Sequence, residues 1–305
     1  MPITKSEKIW MDGQLVDWDD ATIHVLTHTL HYGSGVFEGV RAYQTPSGPA
    51  VFRLTDHINR LFDSAKIFLI DIPYTSEDLV EATKLVVRAN GLQSCYIRPL
   101  VYLGYGEMGL NPLPCPVNVS ISAWPWGTYL GDEGLEHGVR TKISSFTRHG
   151  PNTIPPAAKG TGMYINSSLA KVEALKAGYD EAILLSPSGH VSECTGENVF
   201  VVRDGRIVTP PVTAGALEGI TQHTVLTIAA DLGIECVVGN LLRSDLYLAD
   251  EAFLTGTAAE VVPIRSVDDR ELGEPGMITR KIQETYFAVV RGEVDRYKDW
   301  CEHVG

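Results

Sequence analysis

Residues 149–181 read HGPNTIPPAAKGTGMYINSSLAKVEALKAGYDE, and Lys159 is the only lysine, arginine or carboxylate between Arg148 and Lys171. It stands among proline, alanine, glycine and threonine, just ahead of a segment with helical character. Surface lysines normally keep charged company, and most lysines are solvated. A lysine in small, apolar surroundings is set up differently. Desolvation lowers the pKa of an amine and makes it a usable nucleophile, which is what Schiff-base chemistry requires.

The chain around this lysine has 305 residues, enough for two domains, or one large one, with a sizeable buried core. Apolar residues make up 44% and charged residues 21%, ordinary values for a globular protein. The net charge is −13, and no basic cluster opposes it, which argues against a nucleic-acid or anionic membrane surface as partner. Five cysteines without a CxxC pair argue against a disulfide framework or a zinc site and favour a reducing cytoplasm. MPITKSEKIWMDGQ has no apolar core, so no signal peptide is expected, and no metal site is expected either.

KIWMDGQLVDW reads as a hairpin turning at Asp12-Gly13. GVFEGVRAY, AVFRL, CYIRPLVYLG and VNVSISAW read as strands. LTDHINRLFDSAKIF has helical spacing, with Ile58, Leu61, Phe62 and Ala65 on one face. SEDLVEATKLVVRANG reads as a helix capped by Ser76 and Gly91. Beyond WPWGTYLGDEGLEHG, the segments VRTKISSF, EAILLS, HVSECTG, NVFVVRDGRIVTP, IECVVG and EAFLTG read as strands. Helices are expected at about 163–177, 219–232 and 277–292. The expected class is mixed α/β, or α+β. A small N-terminal domain (1–125) leads through an interdomain loop (126–136) to a large domain (137–305) carrying Lys159.

GYGEMG, 104–109, fits GxGxxG and follows a strand, but LNPLPCP comes next. A dinucleotide fingerprint must open a helix, and prolines at alternate positions do not start one.

Other residues carry chemistry beside Lys159. In GHVSECTGENVF, Glu193 and Glu197 lie four apart, either as a polar turn or as a carboxylate aimed inward to hold a pyridinium proton. Gly219, Ile220 and Thr221 open a helix, where free N–H groups and the dipole favour an anion, and Thr255–Ala259 offer a hydroxyl- and N–H-rich turn. Arg60 is a fork-shaped counter-charge or a surface arginine. Tyr96, Arg98 and Tyr102 share a strand face, suited to a carboxylate or simply to an exposed sheet. Tyr32, Phe37, Trp126, Tyr129 and Tyr164 wall a pocket or belong to the core.

LHYGSGVFEGVRAY, HINRLFDSAKI, YIRPLVYLG, NTIPPAAKGTGMY, SECTGENVF, GITQHTV and YLADEAFLTGTAAEVVPIRSVD together resemble the branched-chain amino acid aminotransferases. These are two-domain, fold type IV (D-amino acid aminotransferase-like) enzymes using pyridoxal 5′-phosphate (PLP). The likeness runs nearly end to end. It implies transamination of leucine, isoleucine and valine with 2-oxoglutarate, with D-amino acid or R-amine transamination as the alternative in the same fold.

By the same resemblance, Lys159 forms the Schiff base and shuttles the proton, and Glu193 pairs with the pyridine nitrogen. Arg60, Leu217, Ile220, Thr221 and Thr257 hold the cofactor, with Tyr164 near its phenolic oxygen. Tyr96 and the turn Thr257–Ala258–Ala259 take the substrate α-carboxylate. Phe37, Gly39, Trp126 and Tyr129 wall the side-chain pocket, and Arg98, with Tyr32 and Tyr129, receives glutamate's distal carboxylate. Tyr32, Met108 and Leu110 come from a neighbouring subunit, so a homodimer is the smallest expected unit and a hexamer is open.

Overall fold

The computed structural model describes residues 3–305. They form two compact units. The first holds residues up to Gly127, then Ala158–Met163 and Ala288–Gly305; the second holds Thr128–Ala157 and Tyr164–Phe287.

In the first unit, strands β1 (Lys8–Met11), β2 (Gln14–Asp17), β3 (Gly35–Phe37), β4 (Val40–Thr45), β5 (Gly48–Phe52), β6 (Cys95–Leu103) and β7 (Val117–Trp124) share one sheet with the terminal strand Cys301–His303. The order runs from that terminal strand through β5, β4, β6, β7 and β1 to β2, with β3 also on β6. Asp12 (φ 45°) and Gly13 (φ 93°) make the two-residue β1–β2 turn, as an Asp-Gly pair should. Three helices belong here: α1 (His28–Tyr32), α2 (Leu54–Ile67) and α3 (Ser76–Ala89). Ile58, Leu61 and Ala65 of α2 and Leu79, Val86 and Val87 of α3 pack with Val36, Ile97, Val101 and Ile121 in one buried core. The cap of α3 is Thr75 rather than Ser76. Its hydroxyl accepts the Asp78 N–H, and the Asp78 carboxylate accepts the Thr75 N–H. At the other end Asn90 is the C-cap, and Gly91 (φ 60°) follows it.

The second unit has strands β8 (Val139–Thr147), β9 (Glu181–Leu185), β10 (Val191–Cys194), β11 (Asn198–Arg203), β12 (Arg206–Thr209), β13 (Cys236–Val238), β14 (Glu251–Gly256), β15 (Glu260–Val267) and β16 (Arg270–Glu271). Their order is β10-β9-β8-β15-β14-β11-β12-β13, with β16 on β15. Its helices are α4 (Gly131–His137), α5 (Tyr164–Lys176), α6 (Ile220–Asp231), α7 (Arg243–Tyr247) and most of α8 (Met277–Val290). The mixed α/β class therefore holds, with antiparallel pairs dominating and parallel pairs at β8–β9, β8–β15 and β12–β13.

Several features differ from the sequence reading. The supposed loop 126–136 contains the start of α4, a short helix that glycines and acidic residues disguise. Strand β15 went unread because Pro263 interrupts its run. Pro263 pairs with Phe253 on one side, and the ladder to β8 starts only at Ile264, so its missing N–H breaks no bond there. The segment Ala158–Met163, with Lys159, groups with the first unit although the sequence reading set 137–305 apart. The Phe37 N–H donates to Lys159 O (3.1 Å), the Lys159 N–H donates to Ser64 Oγ (3.0 Å), and Val36 bridges Gly160.

GYGEMG starts no helix; Gly106 and Gly109 have φ of 148° and 112°, and irregular chain follows. No helix of the described residues is long and apolar enough to cross a membrane, and no cluster there could hold a metal ion.

Candidate active site

The first unit assembles a charged group around Lys159. Helix α2 carries two stripes, offset by one residue. Ile58, Leu61 and Ala65 enter the core, while His57, Arg60 and Ser64 line the adjacent face. Glu38, next to Phe37 at the end of β3, is fully buried and meets this second stripe. Its Oε1 accepts Arg60 Nε (2.6 Å) and its Oε2 accepts Arg60 Nη2 (2.8 Å). His57 Nδ1 lies 2.8 Å from Oε2. Burial pushes the Glu38 carboxyl up, but Arg60 and His57 more than offset this and hold it well below the usual carboxylate range. Burial drives His57 the other way, below its ordinary value, despite Glu38. A neutral imidazole therefore donates from Nδ1 to a carboxylate. Lys159 Nζ lies 5.2 Å from the Phe37 ring centroid.

The same unit gathers an aromatic and cationic wall. Arg98 Cζ sits 4.6 Å from the Phe37 centroid and 5.3 Å from that of Tyr96. Arg98 Nη2 donates to the Tyr96 hydroxyl (2.9 Å), and its buried Nε has no hydrogen-bond partner. Tyr96 packs edge-on to Trp126 with centroids 4.4 Å apart. Gly39 is required beneath it, because a Cβ there would lie 2.1 Å from the Tyr96 hydroxyl. Arg41 Nη2 donates to Gly127 O (2.6 Å) and so holds the chain after Trp126. Tyr102, on the Tyr96–Arg98 strand face, lines an outer groove with Thr29 and Leu30. Tyr32, Met108 and Leu110 are exposed, Leu110 at 88%. They stand on α1 and on the loop after β6, which His28 joins through Nε2 to Gly109 O (2.8 Å).

The second unit positions Glu193 on β10. Its Oε2 accepts the Leu217 N–H (2.9 Å), and its Oε1 is 2.6 Å from Arg148 Nη2, both side chains being buried. Arg148 is held in turn by Ser167 Oγ (3.0 Å) and Asn166 Oδ1 (3.3 Å) from α5. Asn198 Nδ2 donates to Leu217 O (2.9 Å), fixing the approach to α6. Gly219 caps α6 and Ile220 and Thr221 are its first residues, both buried; a Cβ on Gly219 would lie 2.0 Å from Asn198 Oδ1. First-turn N–H groups have no acceptor within their own helix, so this end favours an anion.

Thr257–Ala258–Ala259 turn tightly between β14 and β15, with Glu260 at φ 64° completing the reversal. Against this turn lies Gly196, whose O would be 3.1 Å from a Cβ on Gly256. Tyr164, Tyr129, Ser167, Lys171 and Thr195 line a cleft of about 270 Å³. Beneath it Glu181 accepts Lys171 Nζ (2.6 Å) and Thr195 Oγ1 (2.6 Å). Glu197 is buried nearby, and burial together with Glu181 pushes its carboxyl up to about 8.

Sequence reasoning missed Glu38, His57 and Arg148. His57 and Arg60 sit three apart in HINR, a spacing that puts both on one helical face. The buried Glu38 that joins them comes from the link between β3 and β4, and nothing local marks it. Arg148 served only to bound the charge-free stretch, yet it is the ion-pair partner of Glu193.

A model of the "Amino-transferase class IV" family matches residues 35–267. The chain belongs to the class IV aminotransferases. The branched-chain-amino-acid aminotransferase of Pseudomonas aeruginosa is 53% identical over 294 residues, 96% of this chain and 95% of that one. The crystal structure of the Escherichia coli branched-chain amino acid aminotransferase superposes with a TM-score of 0.97 at 46% identity, covering 99% of this chain and all of that one. The branched-chain amino acid aminotransferase of Thermobaculum terrenum, solved in its PLP-bound holo form, gives 0.93 at 36% identity, with 98% of this chain and 99% of that one covered.

The side chains of this aminotransferase suit a phosphorylated pyridine. Glu193 Oε1 is buried and, beyond the Arg148 ion pair, accepts no hydrogen bond, which leaves it able to take a ring N–H. The α6 N-terminus suits a phosphate.

Proposed function

We infer that this aminotransferase moves the amino group of L-leucine, L-isoleucine and L-valine to 2-oxoglutarate with PLP as cofactor, yielding branched-chain 2-oxo acids and L-glutamate. The observation that carries the reading is end-to-end likeness, at 46–53% identity, to aminotransferases named for those substrates. When bound, PLP supplies an electron sink for charge developing at the amino acid's α-carbon.

Lys159 is the amine that anchors the cofactor and takes the α-proton. Glu193, backed by Arg148, holds the proton on the pyridine nitrogen. Arg60, Leu217, Ile220, Thr221 and Thr257 hold the remainder of the cofactor, with Tyr164 at its phenolic oxygen. The α-carboxylate goes to Tyr96 and Thr257–Ala259. Phe37, Gly39, Trp126 and Tyr129 form an apolar wall. Arg98 supports dual specificity: its guanidinium lies on the Phe37 ring, and its buried Nε is in want of an acceptor such as glutamate's distal carboxylate. An aliphatic side chain uses the ring faces, and the distal carboxylate of glutamate is not buried unpaired.

Tyr32, Met108 and Leu110, exposed in the single chain, serve the site of a second copy, which makes a homodimer the minimal unit. We propose a small N-terminal and a large C-terminal domain with a junction at 126–136, the segments Ala158–Met163 and Ala288–Gly305 returning to the first. The cytoplasm is the proposed compartment, in keeping with five free cysteines.

Steady-state turnover with 2-oxoglutarate tests this reading. L-isoleucine, L-leucine and L-valine are expected to be good donors, with D-alanine and (R)-1-phenylethylamine poor. Faster turnover of D-alanine than of L-leucine would move the protein to the D-amino acid branch of the fold.

A further inference from the structure

Glu38 is assigned no role above, yet its charged carboxylate is fully buried, with its shortest contacts to Arg60 and His57. Burying an ion costs free energy unless its partners are well placed. Here both carboxylate oxygens bind Arg60, at 2.6 and 2.8 Å, through Nε and Nη2. His57 supplies a third bond at 2.8 Å, and the Gly39 N–H a longer one at 3.3 Å. A two-point clasp of this kind fixes the plane of a guanidinium as well as its position. The clasp is itself anchored, since Phe37, the residue before Glu38, donates its N–H to Lys159 O.

We propose that Glu38 is a positioning residue for cofactor binding: it clasps the inner edge of the Arg60 guanidinium and so sets the angle at which Arg60 meets the cofactor phosphate. The proposal rests on the PLP reading above and goes beyond it in one respect. Arg60 acts as an oriented hydrogen-bond fork whose charge Glu38 already balances, so attraction by a net positive charge is not its main contribution.

The test is the phosphate discrimination of the apoprotein, the ratio of the Kd for pyridoxal to the Kd for PLP, measured by equilibrium dialysis. Four proteins are compared: wild type, Arg60→Met, Glu38→Gln and the double variant Glu38→Met/Arg60→Met. Arg60→Met is expected to lower the ratio at least tenfold. Glu38→Gln should lower it several-fold while the pyridoxal Kd stays within about twofold of wild type. The double variant should match Arg60→Met alone, because Glu38 acts only through Arg60. A wild-type ratio in Glu38→Gln would overturn the proposal, as would a further drop in the double variant.

Should Glu38→Gln not fold, Glu38→Asp keeps the charge and shortens the reach; an unchanged ratio there overturns the proposal equally. Failure of the PLP reading itself looks different, because wild-type protein would then not discriminate pyridoxal from PLP at all.

Discussion

Gly39 shows how tightly the residue scale is specified. Its missing side chain leaves room for the Tyr96 hydroxyl, and Trp124 and Trp126 hold the Tyr96 ring at 5.2 and 4.4 Å. Gly39→Ala is therefore expected to displace Tyr96 and to raise the KM for amino acids at least about tenfold, since near-ångström misplacements cost that much or more. Unfolding of the apoprotein should shift by only about 1–3 kcal/mol, the usual cost of overpacking. Separate KM and kcat measurements check this, and an unchanged KM would remove Tyr96 from the carboxylate site. Glu193→Gln is expected to cut kcat by about 10²-fold, the scale of losing one well-placed electrostatic contact. It should also destabilise the apoprotein by about 3 kcal/mol, because Arg148 is left buried without its carboxylate. Rate and denaturant unfolding, measured on the same preparation, separate the two effects. Lys159 and Glu193 stood out as candidates in the sequence, the first as an isolated charge and the second as one of two glutamates four apart, but whether Glu193 lay in a polar turn or pointed inward was left open until β10 placed it. Arg148 and Glu38 did not stand out, because a buried ion pair is defined by a partner from another element.

At the scale of elements, α2 is the most informative. Its apolar stripe was readable from the 3.6-residue period, and the polar stripe one residue behind it was not, because His57, Arg60 and Ser64 read equally well as solvated positions. Strand β15 was hidden by Pro263 and α4 by its glycines, both cases in which tertiary pairing overrides local preference. The start of α3 was read one residue late, since Thr75 and Ser76 are both good caps and only the hydrogen bonds choose between them. Thr75→Ala is expected to lower stability by about 1 kcal/mol with unchanged kinetics, while Ser76→Ala should be close to neutral. Thermal or urea unfolding of the two variants distinguishes them.

At the scale of the whole molecule, the mixed class was legible from alternating strands and a few periodic helices, whereas the gathering of those strands into two sheets was not. Two domains were expected, but not that Ala158–Met163 rejoins the first unit, through bonds that no sequence pattern announces. Global stability should carry the mark of Glu197. Its ordinary value is 4.5 and its folded value about 8, so between those pH values the folded chain holds a proton that the unfolded chain has released. Stability contributed in this way falls as pH rises through that window and levels off above it. Glu197→Gln cannot ionise. It is expected to flatten the decline in melting temperature from pH 5 to pH 9 relative to wild type, and an unaltered pH profile would mean that Glu197 is already ionised at neutral pH.

The inference of PLP chemistry at Lys159 is tested most directly by borohydride reduction of the PLP-loaded protein followed by peptide mapping. A pyridoxyl group on Lys159, abolished in Lys159→Ala, is the predicted result. An adduct on another lysine, or none in protein shown to contain PLP, would contradict it.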